Sequence, residues 1–154
     1  MEAVIFIGIQ AAGKSSFYRE RFFHSHVRIN LDMLKTRHRE RRLTQACLDA
    51  GQRFVVDNTN VRVEERAKYI AAAKAAGFRV VGYYFQSSVR DALRRNSGRS
   101  GTRLIPVKAI LGTYKRLQIP CLDEGFDLLH RVEINDANEF VVTRWPDEVR
   151  PEAV

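Results

Sequence analysis

The sequence predicts an α/β fold, a central parallel sheet with helices on both faces. Short apolar runs of strand length alternate with longer stretches of helical period, the pattern of strand–helix–strand units. The clearest strand candidates are apolar throughout, as strands covered on both faces are. The first of them meets a glycine and passes through a tight turn into a helix. A chain of 154 residues buries roughly 70% of the surface its unfolded form exposes, which suits one domain over residues 1–154.

Taken in order, Val4 to Ile7 is too short for a helix and ends at Gly8, which marks a buried strand. A helix opens through Ser16 and Phe17. His26 to Asn30 alternates weakly and is the second strand candidate; Phe54-Val55-Val56, ended by Asp57, is the third. After Asn60, residues Val63, Ala67, Ile70 and Ala71 fall on one helical face, and Gly77 supplies the stop. Val80 to Phe85, β-branched and aromatic, forms the fourth strand. Val89, Ala92 and Leu93 repeat the helical spacing. Pro106 then sits as a first-turn proline before a face of Val107, Ile110, Leu111 and Tyr114. Leu128 to Ile134 is the fifth strand, and EFVVTRW reads as a final edge strand. Residues 97–103, SGRSGTR, are expected to be the mobile stretch. Tyr18, Phe22 and Phe23 are expected in the core.

Composition narrows the classes. Apolar types make up 45% and charged types 29%, ordinary for a globular domain. No apolar run approaches the ~18–20 residues of a membrane span, and Met1-Glu2-Ala3 leads into the first strand without a secretory leader. Cys47 and Cys121 lack zinc spacing and are too few for a disulfide framework; two buried thiols in a reducing cytoplasm are expected. The four histidines show no metal spacing. Twenty-six Lys and Arg against eighteen Asp and Glu give a net charge of +8, which suits a polyanionic partner and equally a soluble surface that is basic without one. Five cations fall within residues 35–42, and five arginines with a single acid, Asp91, within residues 90–103.

The sharpest motif is Gly8-Ile9-Gln10-Ala11-Ala12-Gly13-Lys14-Ser15, which fits G-x-x-x-x-G-K-[ST] in its required strand–turn–helix setting. Its glycines let backbone N–H groups converge on phosphate oxygens, and the helix N-terminus adds partial positive charge. Lys14 is placed to neutralise the β- and γ-phosphates and Ser15 to ligate Mg²⁺. The expected nucleotide-binding set is Gly8, Gln10, Ala11, Ala12, Gly13, Lys14, Ser15 and Ser16. Nucleotide binding alone leaves an ATPase, a GTPase, a switch and a kinase open; the guanine-reading N-K-x-D is absent.

Two acids stand at strand ends, Asp32 in RINLD and Asp57 in VVDNTN. Strand-end positions bring both towards the phosphate loop. One carboxylate at such a site accepts the proton of an attacking hydroxyl, and the other holds a water on Mg²⁺. The competing reading makes Asp32 a helix N-cap and Asp57 the cap of a turn with Thr59 and Asn60.

GIQAAGKSS, RINLDMLK, VVDNTNVRVEERAKYI, RRNSGR and the stretch from IPV to DEGFD resemble, in order and spacing, the kinase domain of polynucleotide 5′-kinases over residues 4 to about 134. The resemblance implies a P-loop kinase sheet with a short lid at about 95–103. It also implies transfer of the γ-phosphoryl of ATP, with Mg²⁺, to the 5′-hydroxyl end of DNA or RNA. By that likeness Asp32 is the general base, Lys14 and Ser15 hold phosphate and metal, and Arg95 and Arg99 are lid arginines on the nucleotide. Lys14, Asp32 and Arg99 form the catalytic set, and Asp32, Lys35, Asp57 and Asn60 the substrate-binding set. Lys35 stands where many members carry an arginine on the acceptor phosphate, which costs the bidentate fork.

Without the resemblance, the lid is a helix whose outer face carries Arg94 and Arg95, followed by Arg99. Such cations on a closing lid would neutralise charge developing on a transferred phosphoryl; the competing reading is a solvated helix face followed by a loop. The cations after Asp32 are placed to meet the acceptor. A P-loop kinase of a small hydroxyl compound and a nonenzymatic ATP-binding module are the rival readings. No protein partner is evident.

Overall fold

Every residue of strand β1 (Glu2–Ile7) after the first is buried, and its side chains divide between two cores. Ala3, Ile5 and Ile7 enter one and Val4 and Phe6 the other, the two-residue period of a strand covered on both faces. The computed structural model describes residues 1–145. The remaining strands are β2 (Val27–Ile29), β3 (Phe54–Val56), β4 (Arg79–Phe85), β5 (Leu128–Ile134) and β6 (Phe140–Arg144). They form one six-stranded sheet of order β2-β3-β1-β4-β5-β6. Pairings from β2 to β5 are parallel, and β6 alone runs antiparallel, on β5. The expected edge strand is therefore present.

Between the strands lie α1 (Lys14–Arg21), α2 (Leu31–Leu34), α3 (Arg37–Ala50), α4 (Val63–Ala75), α5 (Val89–Ser97) and α6 (Val107–Arg116). Phe17 and Tyr18 of α1, Ala92 of α5 and Ile110 of α6 pack on the Val4–Phe6 face. Cys47 and Leu48 of α3 and Tyr69, Ile70 and Ala73 of α4 pack on the opposite one. No helix among the described residues is long and apolar enough to cross a membrane.

Several expectations are corrected. Helix α3 is absent from the sequence reading because its buried face, Glu40, Thr44, Cys47 and Leu48, is half polar. Helix α4 buries Arg66, Tyr69, Ile70 and Ala73, while Val63 is 40% exposed. Arg66 turns the helix inward: it is fully buried, bidentate on Glu124 at 2.8 and 3.0 Å, and donates to the carbonyls of Asn60, Val61 and Gln118. Helix α6 buries Ile110 and Thr113 and leaves Val107, Leu111 and Tyr114 outside; Pro106 is its N-cap, one residue before the first turn. Phe23 is exposed, whereas Tyr18 and Phe22 are in the core. Cys121 is only partly buried.

The late DEGFD segment now has a physical explanation. Glu124 holds Arg66, Gly125 takes φ 115°, and Phe126 enters the core. A side chain on Gly125 would place its Cβ 2.9 Å from Ile70 Cγ2, so the turn excludes one both by conformation and by space.

Candidate active site

The carboxyl ends of β1, β2 and β3 open into one cavity of about 570 Å³. The turn between β1 and α1 forms part of its wall. Ala11 and Gly13 take positive φ, 59° and 94°, which curls the backbone inward. A Cβ on Gly13 would also lie 3.0 Å from the Phe140 ring of β6. Gly8 donates its N–H to Thr59 O at 2.9 Å. No side chain caps α1, so its first N–H groups are left for an anion. Gln10 Nε2 donates to Thr113 Oγ1 at 2.9 Å, tying the loop to α6.

Lys14 begins α1 and is buried, its Nζ donating to Gly8 O at 2.9 Å and Ile9 O at 2.6 Å. Burial lowers its pKa from 10.5 to about 8; Asp57 and Asp32 oppose that shift and Arg99 adds to it. Ser15 Oγ donates to Asp57 Oδ2 at 3.1 Å. A hydroxyl and a carboxylate at this separation form a hard oxygen pair suited to a hydrated Mg²⁺. Asp57, at 2% exposure, also accepts from Arg28 Nε at 2.8 Å.

Asp32 is exposed and lies inside the single turn α2, whose N-cap is Asn30; Asn30 Oδ1 accepts from Met33 N at 2.9 Å. The capping role therefore belongs to Asn30, and the Asp32 carboxylate faces the cavity that Lys14, Ser15, Ser16, Asp57 and Arg99 also line. Each residue of the DNTN run has its own task. Asn58 accepts from Leu31 N at 2.9 Å and donates to Glu40 at 3.1 Å, which anchors α2. Asn60 sits in the wall but sends its amide to Phe6 O at 2.8 Å.

The structure brings together Gln10, Ala11, Gly13, Lys14, Ser15, Ser16, Asp32, Asp57, Asn60 and Arg99 on that wall. Gly8, Ala12, Lys35 and Arg95 stand outside it. Gly8 and Ala12 belong to the loop and are buried. Lys35 caps the end of α2 at φ 75°, exposed. Arg95 is turned inward rather than outward, donating to Ser87 Oγ at 3.1 Å and Ala11 O at 3.4 Å, so it braces the loop from behind. Arg94 is the outer residue, paired with Asp91. Of the cations at 35–42 only Arg37 reaches the cavity, and it is held by Glu40 at 3.0 Å. Asn96 ties the end of α5 to the segment before α6 by exchanging two hydrogen bonds with the Ile105 backbone, at 2.6 and 2.9 Å.

Sequence reasoning missed Arg28, Glu40 and Asn58. Arg28 carried a signal: it is the one charged position of β2, and parallel pairing with β3 brings it beside Asp57.

The glycine-turned loop, the buried lysine and the Ser15–Asp57 pair define a P-loop nucleotide-binding α/β domain, with the sheet expected of a P-loop kinase. More particularly, the chain belongs to the AAA domain family, whose model matches residues 4–118. It is 27% identical over 135 residues to the bifunctional polynucleotide phosphatase/kinase of Schizosaccharomyces pombe, covering 85% of this chain and 33% of that protein. The chain thus spans a third of the length of that relative. Its fold is similar to a gluconokinase from Sinorhizobium meliloti (TM-score 0.60, 17% identity, 88% of this chain and 83% of the other). A sugar kinase from Janibacter gives a TM-score of 0.67 at 14% identity, over 86% and 85%.

Proposed function

We propose that this domain transfers the γ-phosphoryl of ATP to the 5′-hydroxyl end of a DNA or RNA strand. The observation that carries the reading is the exposed carboxylate of Asp32 on the same cavity wall as the buried amine of Lys14. A hydroxyl acceptor entering beside Asp32 gives up its proton to that carboxylate as its oxygen bonds the γ-phosphorus; the bridging β–γ bond breaks and ADP leaves. Lys14 and the first N–H groups of α1 hold the phosphates. Arg99, charged at neutral pH even though burial and then Arg103 lower its pKa, faces the transferred group. Mg²⁺, held by Ser15 with Asp57 behind it, would neutralise charge on the β- and γ-phosphates. Asn30 and Asn58 fix the turn that carries Asp32.

The polynucleotide acceptor is supported by the relationship to a polynucleotide phosphatase/kinase and by the +8 charge. A second reading, a small hydroxyl compound as acceptor, is favoured by the near full-length fold similarity to a gluconokinase and a sugar kinase. A cytoplasmic setting accompanies either, given two free cysteines. Transfer of labelled γ-phosphate from ATP to a 5′-hydroxyl oligonucleotide tests the first reading, with Asp32→Asn expected to reduce transfer by about two orders of magnitude or more. Labelling of a sugar or nucleoside instead, with no label on DNA or RNA, would replace it by the second.

A further inference from the structure

Three side chains close a triangle where β2, β3 and α1 meet. Arg28 Nε donates to Asp57 Oδ2 at 2.8 Å, Arg28 Nη2 donates to Ser15 Oγ at 3.0 Å, and Ser15 Oγ donates to the same Asp57 oxygen at 3.1 Å. Two corners are the oxygens that suit a divalent cation. The third corner is a cation the protein brings itself.

We propose that Arg28 is a built-in counter-cation of the metal face, which holds Ser15 and Asp57 in place until metal and nucleotide enter and is displaced when they do. The inference rests on reading the chain as a metal-dependent ATP-binding domain, and is indifferent to the acceptor. Asp57 is 2% exposed, and a buried carboxylate needs a compensating charge whenever no metal supplies one. Ser15 Oγ has one proton and two acceptor sites. The proton goes to Asp57 and one acceptor site is taken by Arg28. Ligation of a divalent cation by the same oxygen puts a second, larger positive charge beside the guanidinium, and like charges at such range repel. Arg28 is free to withdraw: its side chain is 27% exposed, lines the cavity and rests near the Tyr18 ring, 6.0 Å from its centroid. Arg28 thereby sets the metal concentration at which the site loads.

Two opposite shifts distinguish this role from a structural one. ATP binding is measured by calorimetry in EDTA and across a MgCl₂ titration, for the wild type, Arg28→Met and Arg28→Gln. In Arg28→Met the MgCl₂ concentration that half-saturates the gain in ATP affinity is expected to fall by about tenfold or more, tenfold being the worth of one of the two charge-assisted hydrogen bonds that metal entry no longer breaks, and in Arg28→Gln, which keeps a neutral donor, by less. Affinity in EDTA is expected to weaken, since Asp57 then faces the phosphates without the guanidinium and with the Lys14 amine to offset it. Thermal melting in EDTA should drop in Arg28→Met and be restored in part by MgCl₂ alone. Arg28→Gln keeps a donor for Asp57 and serves if the methionine variant does not fold. An unchanged or raised half-saturating MgCl₂ concentration in a folded variant overturns the role of Arg28. A wild type that binds no ATP with or without MgCl₂ overturns the nucleotide reading itself.

Discussion

Raising the pH should make ATP binding take up a proton at Lys14. Burial holds this amine near a pKa of 8 against an ordinary 10.5. At 1.36 kcal/mol per unit, that difference is worth about 3 kcal/mol against the charged form. Below pH 8 the folded and unfolded chains both hold the proton and the penalty is fully present. Between pH 8 and 10.5 the unfolded chain binds more protons, so this contribution to stability rises with pH. A bound triphosphate reverses the balance by restoring charge to the amine. Uptake should then be about 0.9 proton per ATP at pH 9 and about 0.1 at pH 7, from the two pKa values. The dissociation constant should weaken by up to about tenfold per pH unit above 8. Calorimetry at pH 9 in buffers of different ionisation enthalpy reads the uptake directly, and the γ-phosphate of ATP is fully ionised there and adds nothing. Tight binding at pH 9 with no proton uptake would refute the account, because the amine would then be charged before the nucleotide arrived.

The remaining expectations concern single residues. Arg99→Ala should lower kcat by about two to three orders of magnitude, as loss of a transition-state cation does, with an unchanged melting temperature; unaltered steady-state kinetics would remove Arg99 from the chemistry. Glu40→Gln loosens the buried grip on Arg37, Tyr69 and Asn58 and should cost about 1–3 kcal/mol in denaturant unfolding. Because Asn58 secures the turn bearing Asp32, kcat should fall while ATP affinity holds; a parallel loss of both would contradict that route. Gly125→Ala should cost about 1–3 kcal/mol from the forced backbone and the contact with Ile70, with equilibrium unfolding as the measure.

What could be read from the sequence was what is local. The phosphate loop is contiguous, so its eight residues carry their own geometry, and strand ends fall where short apolar runs stop. Asp57, which follows the apolar run of β3, is legible that way, whereas Asp32 follows the weakly alternating β2 and sits within α2. What escaped depends on partners distant in the chain. The phase of α4 is set by Arg66 reaching Glu124 and the carbonyl of Gln118, 58 and 52 residues on, and an apolar count along the helix is blind to a buried arginine. Helix α3 hid behind the same difficulty, since Glu40 is buried only because Arg37, Tyr69 and Asn58 satisfy it. Arg95 looked like a solvent residue until Ser87 and Ala11 gave it partners. The DEGFD and DNTN runs were recognisable by likeness, but their physical purpose, clasping α4 and seating α2, emerges only in three dimensions.

Phe140 and Ile134 lie against Gly13, within 3.0 and 3.1 Å of where its Cβ would be, and the Phe140 ring stacks edgewise on Phe17, 5.1 Å between centroids. The last two strands are thus the floor on which the nucleotide turn stands. The family match ends at residue 118, ahead of both. A shortened version cut at that boundary would keep every residue of the motif yet lose its footing, and weakened ATP binding in such a truncation would report a missing underlay rather than a missing contact.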